Sequence, residues 1–158
     1  MKFLLTKELG RFTKWLRILG FDAACFQGRE AGSLIIQALR DDRIVLTRNS
    51  RIRARTGLRI ILLKSEKLHE QFSQLHREIG CKIDPAAMFT RCIICNTELK
   101  HIEKKAIKDK VPEYVFKTQE DFFACPHCCR VYWQGTHWGN VHEIMKKMGI
   151  THSSCEDV

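Results

Sequence analysis

No stretch of this chain is long and apolar enough to cross a bilayer. The opening Met1-Lys2-Phe3-Leu4-Leu5-Thr6-Lys7-Glu8 is charged before an apolar core of signal length can develop, and every later apolar run is short. This excludes helical membrane spans, and a secreted, disulfide-bonded chain would need a leader that is not present here. The expectation is a soluble, cytoplasmic protein with reduced thiols and no membrane partner. Internal repeats and low-complexity tracts are also missing, so each segment is a unique element. Cys25, Cys81 and Cys155 stand alone. In a reducing compartment such thiols are small buried hydrophobes or inert surface groups, and none has the setting of a nucleophile. The positive charge is concentrated in the front half. Residues 1–85 carry 17 Lys plus Arg against 9 Asp plus Glu, which is +8 of the net +9, whereas residues 86–158 carry 10 against 9. A basic surface attracts polyanions, of which nucleic acid is the commonest, although solubility alone also accounts for a moderate charge.

The most specific chemistry is in two C-x2-C turns, Cys92-Ile93-Ile94-Cys95 and Cys125-Pro126-His127-Cys128. Thiolates two residues apart on a tight turn reach one ion, and two such turns supply the four soft ligands of a tetrahedral zinc shell. Cys92, Cys95, Cys125 and Cys128 are the expected ligands of a structural zinc. Cys129 and His127 adjoin the second turn and are the alternative ligands.

The rest alternates strand and helix. Lys2–Thr6 is a short apolar strand, followed by a helix whose Leu9, Phe12, Leu16 and Leu19 form one face and Arg11, Lys14 and Arg17 another, with Gly20 at its end. Phe21–Phe26 is a second strand, and Ser33 is the expected cap of a helix over Leu34–Arg40. Arg43–Thr47 and Leu58–Leu63 are further strands. Between them runs Arg48–Gly57, with four arginines and no acid. Ser65 is the expected cap of an amphipathic helix with Leu68, Phe72, Leu75 and Ile79 on its apolar stripe and Gly80 at its end. This order implies a parallel sheet with flanking helices and a site at the carboxyl ends of the strands, where Thr6, Thr47 and Asn49 fall. The charged insert Lys100–Lys110 reads as a solvated surface helix or loop. Arg130–Trp133 reads as a ribbon strand, with Tyr132, Trp133, His137 and Trp138 as packing residues or stacking platforms for bases. His142–Met148 reads as a last short helix before a frayed tail.

Several motifs together resemble one known family. They are Leu9-Gly10-Arg11, Trp15 through Asp22, Arg43 through Arg48, Arg91-Cys92 with Cys95-Asn96, Val111-Pro112, and Cys125-Pro126 through Tyr132-Trp133 to Gly135 and His137-Trp138. The family is the one named for the C-terminal domain of the exonuclease mut-seven, and the resemblance covers nearly the whole chain. It implies a compact PIN-like ribonuclease domain followed by a zinc ribbon, with strand-end carboxylates holding Mg or Mn ions that activate water for phosphodiester cleavage. Two acidic positions of the family pattern are here Thr6 and Asn49. Thr and Asn offer only neutral oxygens, which do not offset the dehydration of a hard cation. Glu8, Asp22 and Glu30 are the remaining catalytic candidates, with Asp41 and Asp42 as further substitutes.

The expected architecture is therefore α/β, with a PIN-like domain over 1–85, a zinc ribbon over 88–140, and a short helix and tail over 141–158. The expected function is RNA binding through Arg11, Arg48, Arg51, Arg53 and Arg55, with a depleted cleavage centre. The rival readings are an active metal-dependent ribonuclease using other carboxylates, and an adaptor whose ribbon docks a protein partner. The metal module is expected to fold on its own ion and leave the front domain intact without it.

Overall fold

Short, mostly apolar segments build a parallel sheet whose central strands are buried on both faces. In the computed structural model, which describes residues 1–52 and 57–133, these are β1 (Lys2–Leu5), β2 (Asp22–Cys25), β3 (Ile44–Thr47) and β4 (Ile60–Leu62), in the order β2-β1-β3-β4. All neighbours are parallel, with Phe3 opposite Ala23 and Ile44, and Leu46 opposite Ile61. The helices are α1 (Gly10–Ile18), α2 (Ala31–Arg40) and α3 (Leu68–Ile79).

Strand alternation divides the core between the two faces. Phe3, Leu5, Leu46 and Ile61 pack with Leu9, Phe12, Leu16 and Leu19 of the first helical segment and with Phe72 and Leu75 of α3. Leu4 and Val45 point the other way, against Leu34 and Ala38 of α2. Each such apolar side chain contributes about 1.5–3 kcal/mol when fully buried. Phe12 and Phe72 meet edge to face at 4.7 Å and join α1 to α3.

The helix starts differ from the expected caps. The first turn of α2 begins at Ala31 after an extended Glu30, so Ser33 lies inside the helix. Ser65 Oγ accepts from the Lys67 amide at 3.0 Å in a turn ahead of α3, which begins only at Leu68. A serine hydroxyl satisfies a local turn as readily as a helix end. Arg17, placed by pattern on the polar face of α1, is 6% exposed.

The second half forms a three-stranded antiparallel sheet of β5 (Lys100–Ile102), β6 (Phe122–Ala124) and β7 (Val131–Trp133), with α4 (Glu113–Thr118) between β5 and β6. Its small core is Ile107, Val111 and Phe122. The charged insert is therefore strand β5 followed by a 3-10 turn over Lys104–Ile107, and Ile107 is fully buried. Lys100, Lys105, Lys108 and Lys110 are exposed, Lys104 pairs with Glu120, and one isoleucine at the turn's end anchors the segment.

Between the two sheets, Asp84 caps the turn Pro85–Ala87, Met88 joins the front core, and the Phe89 amide donates to the Ile18 carbonyl at 2.8 Å. The segment packs on the end of α1 because Gly20, at φ +87°, has no side chain: a Cβ there would lie 2.1 Å from the Ala87 carbonyl oxygen. We expect Gly20→Ala to destabilise the chain by about 3 kcal/mol, from left-handed strain and overpacking together. The check is the midpoint of urea unfolding; a shift of no more than a few tenths of a kcal/mol would refute the close approach.

Candidate functional site

At the carboxyl edge, parallel pairing of β1 with β3 sets Thr6 beside Thr47, with their hydroxyl oxygens 2.9 Å apart. The short 3-10 turn Lys7–Leu9 then folds Glu8 back over both. Glu8 Oε1 accepts from the Thr6 hydroxyl, from the Thr47 hydroxyl at 3.1 Å and from the Arg48 amide at 3.1 Å. Burial alone would raise the Glu8 pKa, but hydrogen bonds from Thr6, the Arg48 amide and Thr47 hold it below its ordinary value. Asn49 closes the next turn, its Oδ1 accepting from the Arg51 amide at 3.0 Å and its own amide donating to Thr47 Oγ1 at 3.0 Å.

Thr6, Glu8 and Asn49 line a cleft of about 350 Å³ with Lys7, Phe26, Gly28, Arg29, Glu30, Ala31, Leu34 and Ile52. Two of the three catalytic candidates, Glu8 and Glu30, therefore share it. Asp22 does not. It pairs in register with Lys2 at the amino end of the sheet, and Asp41 and Asp42 also precede β3 at its amino end. Of the arginines expected to bind nucleic acid, Arg48 is ion-paired with Glu66 at 2.7 Å, while Arg11 and Arg51 are exposed. Arg53 and Arg55 lie outside the described residues, as do His137, Trp138 and the segment His142–Met148. Lys7 and Arg29 were missed from sequence, since nothing local shows that the turn after β1 and the loop before α2 meet.

At the strand edge itself one carboxylate, Glu8, stands beside the neutral oxygens of Thr6, Thr47 and Asn49. A hard cation needs several anionic oxygens, and here two buried hydroxyls and an amide surround one carboxylate oxygen. Among the described residues, the group of three or more His, Cys, Asp or Glu side chains that comes within metal-holding distance is Cys92, Cys95, Cys125 and Cys128, all of whose sulfurs lie within 4.8 Å of one another. Cys92 and Cys128 sulfurs are 3.5 Å apart and those of Cys95 and Cys125 are 3.3 Å apart. The two turns repeat one geometry. The Asn96 amide donates to the Cys92 carbonyl and the Cys129 amide to the Cys125 carbonyl, each at 2.9 Å, and both residues take positive φ, 70° and 59°. Cys129 is thus the exposed corner of its turn, and the four thiolates of the two C-x2-C pairs suit one metal ion. Tyr132, expected to pack or to stack on bases, sets its hydroxyl 3.0 Å from Cys92 Sγ. Burial opposes ionisation of Cys92, but hydrogen bonds from the Tyr132 hydroxyl and the Cys95 and Ile94 amides lower its pKa.

The amino edge carries a second polar cluster. Asp22 Oδ1 accepts from Arg43 Nη1 at 2.6 Å and from Asn96 Nδ2 at 2.7 Å, and Oδ2 accepts from Arg43 Nη2 at 3.3 Å. Burial would raise the Asp22 pKa; the hydrogen bonds of Arg43 and Asn96 and the charge of Arg43 lower it.

The family model of the Mut7-C RNAse domain matches residues 1–145. The chain belongs to the Mut7-C RNAse domain family. No curated protein and no solved structure matches it.

The depressed Asp22 pKa has a defined pH signature. Its stabilisation is present above the unfolded-state pKa, near about 4, and is lost as pH falls through the lower folded value. We expect Asp22→Asn to cost about 2 kcal/mol at pH 7, the scale of a charged hydrogen-bonded pair. In paired urea titrations, the gap between variant and wild type should close towards pH 3; a gap independent of pH would remove the ionic account.

Proposed function

We propose that this chain binds single-stranded RNA with a PIN-like domain over about residues 1–85 joined to a zinc ribbon over about 88–140, and that it does not carry out metal-assisted cleavage. The observation that carries this reading is the engagement of Glu8 by Thr6, Thr47 and the Arg48 amide. Two acids at one strand edge repel unless a cation lies between them, whereas here hydroxyl protons do the cation's work. Lys7 and Arg29 in the cleft, with the exposed Arg51 beside it, offer positive charge for phosphates. A second reading, cleavage by the surviving acids, is favoured by the presence of both Glu8 and Glu30 in the cleft.

For the cysteine site, zinc fits best. Four soft thiolates on two knuckles are a closed structural set, and a tetrahedral shell with zinc–sulfur bonds of about 2.3 Å places sulfurs about 3.8 Å apart. The observed 3.3 and 3.5 Å are close to that spacing. Elemental analysis of purified protein should find one zinc per chain, and Cys128→Ser should lose it. A metal-free preparation with a Cys92–Cys95 disulfide would refute the assignment.

RNA affinity should fall as salt rises, because bound phosphates release counterions. Replacing Lys7, Arg29 and Arg51 with Ala should weaken binding and flatten the salt slope; absence of salt-dependent affinity in the wild type would favour a protein-docking adaptor. With Mg or Mn the wild type should not cleave. Thr6→Asp with Asn49→Asp should create a divalent site. A carboxylate at position 49 can still accept from the Arg51 amide, while one at position 6 faces Glu8 without a proton to share. The double variant should be less stable without metal, be rescued by millimolar Mn, and gain cleavage. Mn-dependent cleavage by the wild type, abolished by Glu8→Gln or Glu30→Gln, would establish the second reading instead.

A further inference from the structure

β2 is an edge strand of the parallel sheet, so main-chain groups on its outer side have no strand to pair with. At Ala23 both groups are taken by side chains. The amide donates to Asn96 Oδ1 at 3.0 Å and the carbonyl accepts from Arg17 Nε at 2.8 Å. The same Arg17 donates from Nη1 to the carbonyls of Ile93 at 2.8 Å and Ile94 at 2.6 Å, the two residues between the cysteines of the first knuckle. Asn96 follows that knuckle and also donates to Asp22. Its position is set by the knuckle's turn and by Arg91, whose Nη1 donates to the Asn96 carbonyl at 2.9 Å.

We propose that the first cysteine knuckle is a structural part of the parallel-sheet domain, closing its β2 edge through Arg17 and Asn96, so that metal occupancy at the four cysteines controls the stability of that edge. This rests on the reading of the cysteine cluster as a metal site. The metal draws Cys92 and Cys95 to one point and thereby fixes the Ile93 and Ile94 carbonyls between them. Without it the carbonyls lose their fixed direction, and a guanidinium only 6% exposed is left short of acceptors. An incompletely compensated buried charge is strongly destabilising, so by linkage the metal's binding energy supports β2 as well as its own loop. The expectation that metal loss leaves the front domain untouched is replaced by this coupling.

The test is hydrogen exchange at the Ala23 amide in the full chain, with zinc content measured before and after chelation. Removing the metal should speed exchange at Ala23 by about tenfold or more, the scale expected when a local opening replaces a global one. Asn96→Gly tolerates the positive φ and deletes only the side chain, so with metal still bound it should also speed Ala23 exchange. Complete metal loss with unchanged Ala23 exchange would overturn the coupling while leaving the metal site standing. A purified chain that never holds metal would take down both.

Discussion

A guanidinium cannot be buried without acceptors, and Arg17 is the buried cation on which this structure turns. Three carbonyls surround it, one from β2 and two from the turn between Cys92 and Cys95, more than seventy residues away in sequence. Arginine suits this task because its planar fork donates in two directions at once without a rotamer change. A lysine could reach the carbonyls on one side of the joint but not those on both. Around it the other contacts fall into line: Gly20 admits Ala87, Ile18 receives Phe89, and Asn96 reaches Asp22 and Ala23. The two sheets are therefore joined by hydrogen-bonded main chain rather than by a solvated linker.

The two ends of the parallel sheet solve opposite electrostatic problems. At the amino end, one carboxylate, Asp22, faces the guanidinium of Arg43 and the amide of Asn96, and charge is met by charge. At the carboxyl end, Glu8 is met by neutral donors, the hydroxyls of Thr6 and Thr47 and an amide. Both carboxylates have lowered pKa values and stay ionised at neutral pH. Membership of a ribonuclease family thus coexists with a strand edge where two hydroxyls and a main-chain amide engage one oxygen of its carboxylate.

Periodicity made most of the scaffold legible. The stripe Leu9, Phe12, Leu16, Leu19 and the short apolar runs at Lys2, Arg43 and Leu58 led to the helices and strands found, since local burial patterns are written in adjacent residues. The knuckle spacing likewise brought Cys92, Cys95, Cys125 and Cys128 together, because ligand geometry is local. What was not legible depends on contacts across the fold. Arg17 has the spacing of a solvent-facing arginine, and only the arrival of the Cys92–Cys95 turn makes its burial possible. Glu8 was one of several candidate acids, and its engagement follows from Thr6 and Thr47 lying side by side although they are 41 positions apart in sequence. Asn96 carried one readable signal, since Asn tolerates the left-handed turn that a knuckle's last corner requires.

The position of the knuckle also explains why β2 can end the sheet without inviting another strand. Edge strands expose a row of donors and acceptors, which proteins blunt with charge, bulges or a covering loop. Here the cover is specific: Asn96 supplies an acceptor and Arg17 a donor to the main chain of Ala23. The Ala23 side chain is itself buried in the core beneath the sheet, so the knuckle's side chains meet this strand at its main chain. The buried arginine, Asn96 and the Cys92–Cys95 turn therefore close this edge together, through hydrogen bonds to one strand residue's main chain.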